Sequence, residues 1–257
     1  MDLKFDTELA KGYKSASQIT RVLTESWMDK NVYCPNCSCE KIQKEDNNKP
    51  VHDFSCPSCK EQFELKSKHA KTAGKKITDG AYHTMVERIQ ADNNPSFFFL
   101  SYRKVDYSVH QLILVPKHFI TTEVIIRRKP LSDTAQRPGW IGCSINVGAL
   151  PESGKILLID NAKIIRPEIV RQQWRTNLFL RQQQNKGWLL AIMKYVEKLP
   201  ETFNLNQIYQ FEAELAVQFP KNKHIKDKIR QQLQVLRDQN VIEFSARGQY
   251  RKINNVA

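Results

Sequence analysis

Two cysteine pairs, Cys34-Pro-Asn-Cys37 and Cys56-Pro-Ser-Cys59, stand 18 residues apart, and no other feature restricts the conformation of this chain as strongly. The separation lies in the roughly 15–20-residue range of two C-x-x-C knuckles that close one tetrahedral four-cysteine zinc site. Four thiolates leave no coordination position for water, so the metal is expected to be structural and not itself reactive. The six cysteines fall at 34, 37, 39, 56, 59 and 143. Paired spacing in a chain whose N-terminus, MDLKFDTELAKGYK, shows no secretory signal argues for metal over disulfides. Cys39 is an alternative to Cys37 whose spacing is wrong for a knuckle, and Cys143, alone, reads as a buried inert thiol.

The second knuckle has chemistry on both flanks. In FELKS, the period-two alternation of a strand puts Glu64 and Lys66 on one face, with Phe63 and Leu65 on the other. If Cys56–Cys59 is the tip of an antiparallel hairpin, position 53 falls opposite position 64, so Asp53 stands beside Glu64. Two carboxylates and an ammonium on one sheet edge suit phosphodiester hydrolysis: the carboxylates hold Mg2+ through oxygen, and the lysine orients or activates the attacking water. The ordinary alternative is a solvated strand face with a salt bridge. Strand context, same-face spacing and a zinc clamp on the register favour the reactive reading.

Composition points to the substrate. Lys plus Arg exceed Asp plus Glu by 40 to 27, a net charge of +13 with a pI near 9.5, as in proteins that neutralise phosphates. Residues 219–252 hold nine basic residues against three acidic ones, a local +6. The longest apolar runs, FFFL and ILLI, are too short to span a bilayer, so a cytoplasmic protein without membrane contact is expected.

Along the chain, SASQITRVLTESWMDK (15–30) predicts a helix, and TDGAYHTMVERIQADN (78–93) a second, capped by Thr78 and ending before Asn94-Pro95. SFFFLSY, VHQLILV (109–115) and KILLID (155–160) read as buried strands, giving a mixed α/β domain. Residues 121–142, rich in Arg, Lys, Pro and Gly, read as a long loop facing something charged. RQQQNKG (181–187) looks like a linker. Beyond it, three helical patterns (187–199, 204–219 and 224–239) and the strands VIEF and QYRKI around SARG follow the order of a winged helix.

The D-x10-E-x-K arrangement on adjacent strands resembles the PD-(D/E)XK nuclease core. Nearly end to end, the chain resembles the DpnI-like methyl-directed type II (type IIM) restriction endonucleases of that superfamily. The strings that carry the likeness are K-x-x-S-x-x-x-R-x-L-T-E, the zinc knuckles, FELKSK, ITDGAY, QADNNP, FFFL, GWIGC, HIKDKIRQQLQ and RGQYRK. The resemblance implies an α/β (α+β) restriction-endonuclease-like core with an embedded four-cysteine zinc site, residues 1–182, followed by a winged-helix DNA-binding domain, residues 183–257. It also implies Mg2+-dependent double-strand cleavage of GATC sites containing 6-methyladenine. Asp53 and Glu64 would then be the magnesium ligands, Lys66 the catalytic lysine, and Cys34, Cys37, Cys56 and Cys59 the zinc ligands. His52 stands where the general motif has proline, and Pro50 lies three positions before the aspartate. Some superfamily members add an acidic residue from the first helix, for which Glu25 is the candidate beside its ordinary reading as helix-surface charge.

The methyl of the modified base projects into the major groove, where an apolar contact can sense it. One buried carbon contributes only about 0.8 kcal/mol, so two sensing steps, one per domain, are expected. The first reader is the basic segment with Arg127, Arg128, Arg137 and Trp140, the tryptophan being either a methyl contact or a core residue. For the second, Lys223, His224, Lys226 and Lys228 at the start of the third helix are expected at the groove, His224 as a phosphate contact or helix cap more than as a base reader, while Arg247 and Arg251 in the wing touch phosphates. The expected partner is double-stranded DNA carrying adenine-methylated GATC, bound by a chain that is monomeric in solution. The alternative is a zinc-containing winged-helix transcription regulator without catalytic activity. It accounts for the metal, the charge and the helix, but not for the convergence of Asp53, Glu64 and Lys66.

Overall fold

A computed structural model describes residues 1–46, 52–91, 93–183 and 186–253. Pro50, Asp92 of the QADNNP string, and Gln184 and Asn185 of the expected linker lie outside the described residues. The chain forms two compact units: Met1–Gly148 with Ser153–Leu178, and Ala149–Glu152 with Phe179 onward.

The first unit opens with α1 (Ala16–Asn31), followed by β1 (Gln43–Lys44), β2 (Phe54–Ser55), β3 (Gln62–His69), β4 (Ile77–Ala81), α2 (Tyr82–Gln90), β5 (Ser96–Arg103) and β6 (Ser108–Val115). It continues through β7 (Ile125–Arg127), β8 (Gly142–Ile145), β9 (Ile156–Asp160), β10 (Lys163–Ile164) and α3 (Pro167–Thr176). The main sheet runs β1-β2-β3-β5-β6-β9-β10. β3 and β5 are parallel, from Phe63↔Ser96 to His69↔Tyr102. A parallel pair requires a crossover, and the segment β4–α2 supplies it. Apolar side chains of β5 are buried on both faces, as the unbroken run FFFL predicts. Leu23, Trp27 and Met28 of α1 enter the same core, and the Trp27 indole donates to the Asp2 carbonyl at 2.7 Å.

Two expectations need correction here. The helix expected from Thr78 begins only at Tyr82, because Ile77, Thr78 and Asp79 pair with Ile145, Ser144 and Cys143 of β8. That partner lies more than sixty residues away in sequence, where local periodicity cannot reveal it. The expected loop 121–142 is partly sheet: β7 pairs with β8, giving the small sheet β4-β8-β7. The chain between them rises as a hairpin held by Arg128 N–H to Gly142 O (3.0 Å) and Leu131 N–H to Trp140 O (2.9 Å).

The second unit contains α4 (Lys186–Lys198), β11 (Thr202–Asn204), α5 (Leu205–Tyr209), α6 (Glu212–Gln218), α7 (Ile225–Asp238), β12 (Ile242–Ala246) and β13 (Gln249–Lys252), with strand order β11-β13-β12. Asn204 and Gln207 form a reciprocal capping box at the start of α5. The single helix expected over 204–219 is broken at Gln210-Phe211, where the Phe211 ring stacks on Tyr195 at 4.4 Å. Ile225, Ile229, Leu233 and Leu236 of α7 are buried, as their spacing predicts. Three-residue β11 escaped sequence reading because so short a segment carries no period. Among the described residues no helix is long and apolar enough to cross a membrane.

Candidate active site

The four knuckle sulfurs, Cys34, Cys37, Cys56 and Cys59, lie within 4.8 Å of one another. Cys34 Sγ is 3.6 Å from Cys59 Sγ, and Cys37 Sγ is 3.6 Å from Cys56 Sγ. Sulfurs bound to one tetrahedral zinc at about 2.3 Å would stand about 3.8 Å apart, so the cluster has the size of a four-thiolate zinc site. The backbone N–H groups of Cys39 and Cys59 point at Cys37 Sγ and Cys56 Sγ (3.5 Å each), as at thiolates. Burial pushes the Cys34 and Cys56 thiols up, Cys56 to about 11, so a cation must replace their protons for the sulfurs to serve as ligands. Cys39 stays out of the cluster, donating to the Lys41 carbonyl. From α3, Arg171 Nε donates to Cys37 O (3.1 Å) and Trp174 Nε1 to Asn36 Oδ1 (2.9 Å), gripping the first knuckle from a distant part of the chain. These four cysteines could hold a metal such as zinc.

The second knuckle is the tip of the β2–β3 hairpin, with Cys56 N–H bonded to Glu61 O and Lys60 N–H to Cys56 O. Its register is Phe54↔Phe63 and Ser55↔Gln62, as the hairpin geometry predicts. Carried one residue further, it sets Asp53 across from Glu64. There β2 ends, and the Leu65 N–H donates instead to Asp53 Oδ2 at 2.7 Å. The carboxylate thus takes the place of a ladder carbonyl, which orients it along β3.

Glu64 and Lys66 share one face, with Lys66 Nζ 2.5 Å from Glu64 Oε1. Asp53, Glu64 and Lys66 line one cavity of about 720 Å³. Burial raises the Asp53 carboxyl above its usual range, against the pull of the Leu65 N–H, and neighbouring Glu64 raises it further. The burial of Lys66 pulls its ammonium down, but Glu64 and Asp79 outweigh that and hold it above the usual lysine range. Both carboxylates thus favour the cationic form of Lys66.

Three residues at or beside this cluster were missed or misread from sequence. Asp79 Oδ1 of β4 takes a second short contact from Lys66 Nζ, 2.5 Å. Arg88 Nη1 of α2 lies 2.7 Å from Glu64 Oε2. Glu25, read ordinarily as surface charge, is only 8 % exposed, lines the same cavity and pairs with Lys44 (2.8 Å) and Arg21 (2.9 Å). A signal for Glu25 existed in its i, i+4 link to Arg21; Asp79 and Arg88 had none, since each depends on where β4 pairs.

Trp140 is half-buried at the base of the β7–β8 hairpin, outside the core. A Cβ on Gly142 would meet two of its ring carbons at 2.8 and 2.9 Å, so glycine is what lets the indole lie against the strand. Arg127, Arg128 and Arg137 are exposed around it. In the second unit Lys223 and His224 are exposed ahead of α7, whereas Lys226 is drawn to Glu212 (3.3 Å) and the Tyr209 ring, and Lys228 to Gln231 (2.7 Å). Arg247 is exposed at the wing turn, and Arg251 pairs with Glu243 across the wing.

A mixed α/β unit with a cysteine cluster beside an acidic, lysine-bearing cavity, and a helix-turn-helix unit with a β-wing, together define a DNA-acting protein. A family model described as the Dam-replacing family, DpnI, matches residues 1–183, and a second, the Dam-replacing HTH domain, matches residues 184–252. The chain belongs to the DpnI (Dam-replacing) family. Its likeness to the DpnI-like methyl-directed restriction enzymes spans nearly the whole sequence, and membership implies methylation-dependent DNA cleavage with a DNA-binding helix-turn-helix domain.

Proposed function

We propose that the protein is a type II methyl-dependent deoxyribonuclease that makes double-strand cuts in GATC sites containing 6-methyladenine, by Mg2+-dependent hydrolysis on a PD-(D/E)XK core. The observation that carries this reading is the convergence of Asp53, Glu64 and Lys66 on one cavity. Residues 1–182 would perform the cleavage and residues 183–257 would add a winged-helix reader.

The residues fit a hard cation. Asp53 and Glu64 offer carboxylate oxygens, those of Glu64 lying against Lys66 and Arg88, cationic groups whose place a metal ion can take. Two protein carboxylates leave the remaining positions to water and phosphate, the usual pattern for Mg2+. When bound, the cation polarises the phosphoryl oxygen and stabilises the charge that develops on it. Lys66 donates to a phosphate oxygen or to the attacking water, holding it in line. The Leu65 N–H keeps the Asp53 carboxylate turned into the cavity. Structural zinc in the cysteine cluster maintains the hairpin register that sets Asp53 against Glu64. With one such trio among the described residues of a chain, two strands require two chains at the site or two successive visits.

Incubating methylated and unmethylated GATC plasmids with the protein and Mg2+ tests the activity. Linearisation of the methylated plasmid alone is expected. Binding of both with cutting of neither would favour a zinc-containing winged-helix regulator.

Each unit carries its own reader in this proposal. Trp140 serves the first, with its indole offered to the methyl and Arg127, Arg128 and Arg137 to phosphates. Lys223, His224, Lys226 and Lys228 serve the second, with Arg247 and Arg251 on the backbone. Trp140→Ala is expected to lower the cutting preference for methylated over unmethylated duplex by roughly tenfold. Competitive cleavage of the two duplexes measures it, and an unchanged ratio would remove Trp140 from methyl recognition.

A further inference from the structure

Asp79, Lys66, Glu64 and Arg88 form a chain of alternating charge, with successive contacts of 2.5, 2.5 and 2.7 Å. All four side chains are less than a fifth exposed, so screening by water is weak. Neither outer member lies on β3: Asp79 is on β4 and Arg88 on α2, the crossover between β3 and β5. Glu64 therefore has one oxygen against an ammonium and the other against a guanidinium. A metal ion reaching Glu64 must compete with both. Lys66, however, has a second carboxylate to turn to. Asp79 is firmly placed for this: its Oδ1 also accepts the Gly80 N–H at 2.7 Å, and its Oδ2 is buried with no hydrogen-bond partner among the described residues.

We propose that Asp79 is a positioning residue that draws the Lys66 ammonium off Glu64 and holds it beside the site when a divalent cation takes Glu64, while Arg88 opposes the cation from the other oxygen. This inference rests on the reading of Asp53 and Glu64 as the cation site. It assigns the crossover segment a function that the three motif residues lack: setting how tightly the site holds its metal. Without Asp79 the Lys66 charge falls wholly on Glu64 and the cation faces two undivided competitors. Without Arg88 one competitor is gone. The two substitutions should therefore shift cation affinity in opposite directions, which loss of structural integrity would not do.

Mn2+ binding to the full-length, zinc-loaded protein without DNA, followed by the electron paramagnetic resonance of free Mn2+, reads this directly. Zinc loading closes the cysteine cluster to the probe. Asp79→Ala is expected to weaken Mn2+ binding roughly tenfold, and Arg88→Met to tighten it several-fold. Asp79→Asn, which keeps the shape and the acceptor for Gly80 but loses the charge, should fall between wild type and Asp79→Ala and guards against misfolding of the alanine variant. In cleavage, Asp79→Ala should slow the single-turnover rate at low Mg2+, regain much of it at high Mg2+, and leave DNA affinity unchanged. Glu64→Gln is the control. If it binds Mn2+ as wild type does, the cation site is misplaced and this inference falls with it. If Glu64→Gln loses Mn2+ while Asp79→Ala and Asp79→Asn bind it normally, the site stands and the role of Asp79 is overturned.

Discussion

Lys66→Ala is expected to slow cleavage of methylated GATC DNA by about a thousandfold or more, the loss associated with deleting a preorganised donor at developing charge. The expectation follows from the ammonium's surroundings. It is nearly buried, held between Glu64 and Asp79, and kept charged by them. No other described lysine lines that cavity alongside Asp53 and Glu64 except Lys44, which is paired with Glu25. DNA affinity should change little, because one ammonium in an acidic cavity is a small part of a surface whose net charge is +13. Stability should fall by about 1–3 kcal/mol, since the oxygens of Glu64 and Asp79 lose the donor between them. Single-turnover cleavage, filter binding and thermal unfolding separate the three. Unchanged cleavage would remove the proposed active site.

Zinc loss is expected to have the largest structural effect. Apparent binding energies of structural zinc are on the order of 10 kcal/mol, comparable with the whole stability of a domain. Cys56→Ser, or chelation of the wild type, should therefore disorder the tip joining β2 to β3. The consequences run in sequence: the knuckle opens, the Phe54↔Phe63 register is released, Asp53 loses the Leu65 N–H, and the site loses a carboxylate. Cleavage should disappear together with bound zinc, and zinc should restore it to the chelated wild type but not to Cys56→Ser. Metal content by mass spectrometry, paired with cleavage of the same sample, decides the matter. A zinc-free protein that cuts normally would show that the hairpin holds its register without the metal.

The parts of the candidate site legible in the sequence were those governed by short-range rules. Alternation along β3 put Glu64 and Lys66 together, and the hairpin centred on the second knuckle put Asp53 opposite. The four cysteines announced their cluster through spacing alone. Asp79 was hidden because TDGAY before an amphipathic stretch has the look of a helix cap, and only its pairing with β8 makes it strand. Arg88 looked like the polar face of a helix, as long as nothing said which side of α2 meets β3. Trp140 was ambiguous for a similar reason: its place depends on Gly142, whose missing side chain makes room for the ring only once the hairpin is closed. In each case the missing information was a partner distant in sequence, and the pairing itself, not any local preference, supplied it.

Gly142, beneath the indole of Trp140, pairs with Ala81, and Cys143 pairs with Asp79. Under the proposed function, the residue offered to a methylated base and the carboxylate offered to Lys66 are thus tied to neighbouring rungs of one small sheet. Coupling between distant sites ordinarily needs a bistable element between them. In that proposal a substitution that displaced β8 would be expected to disturb both reading and cleavage, because β4 and β7 are both paired to it.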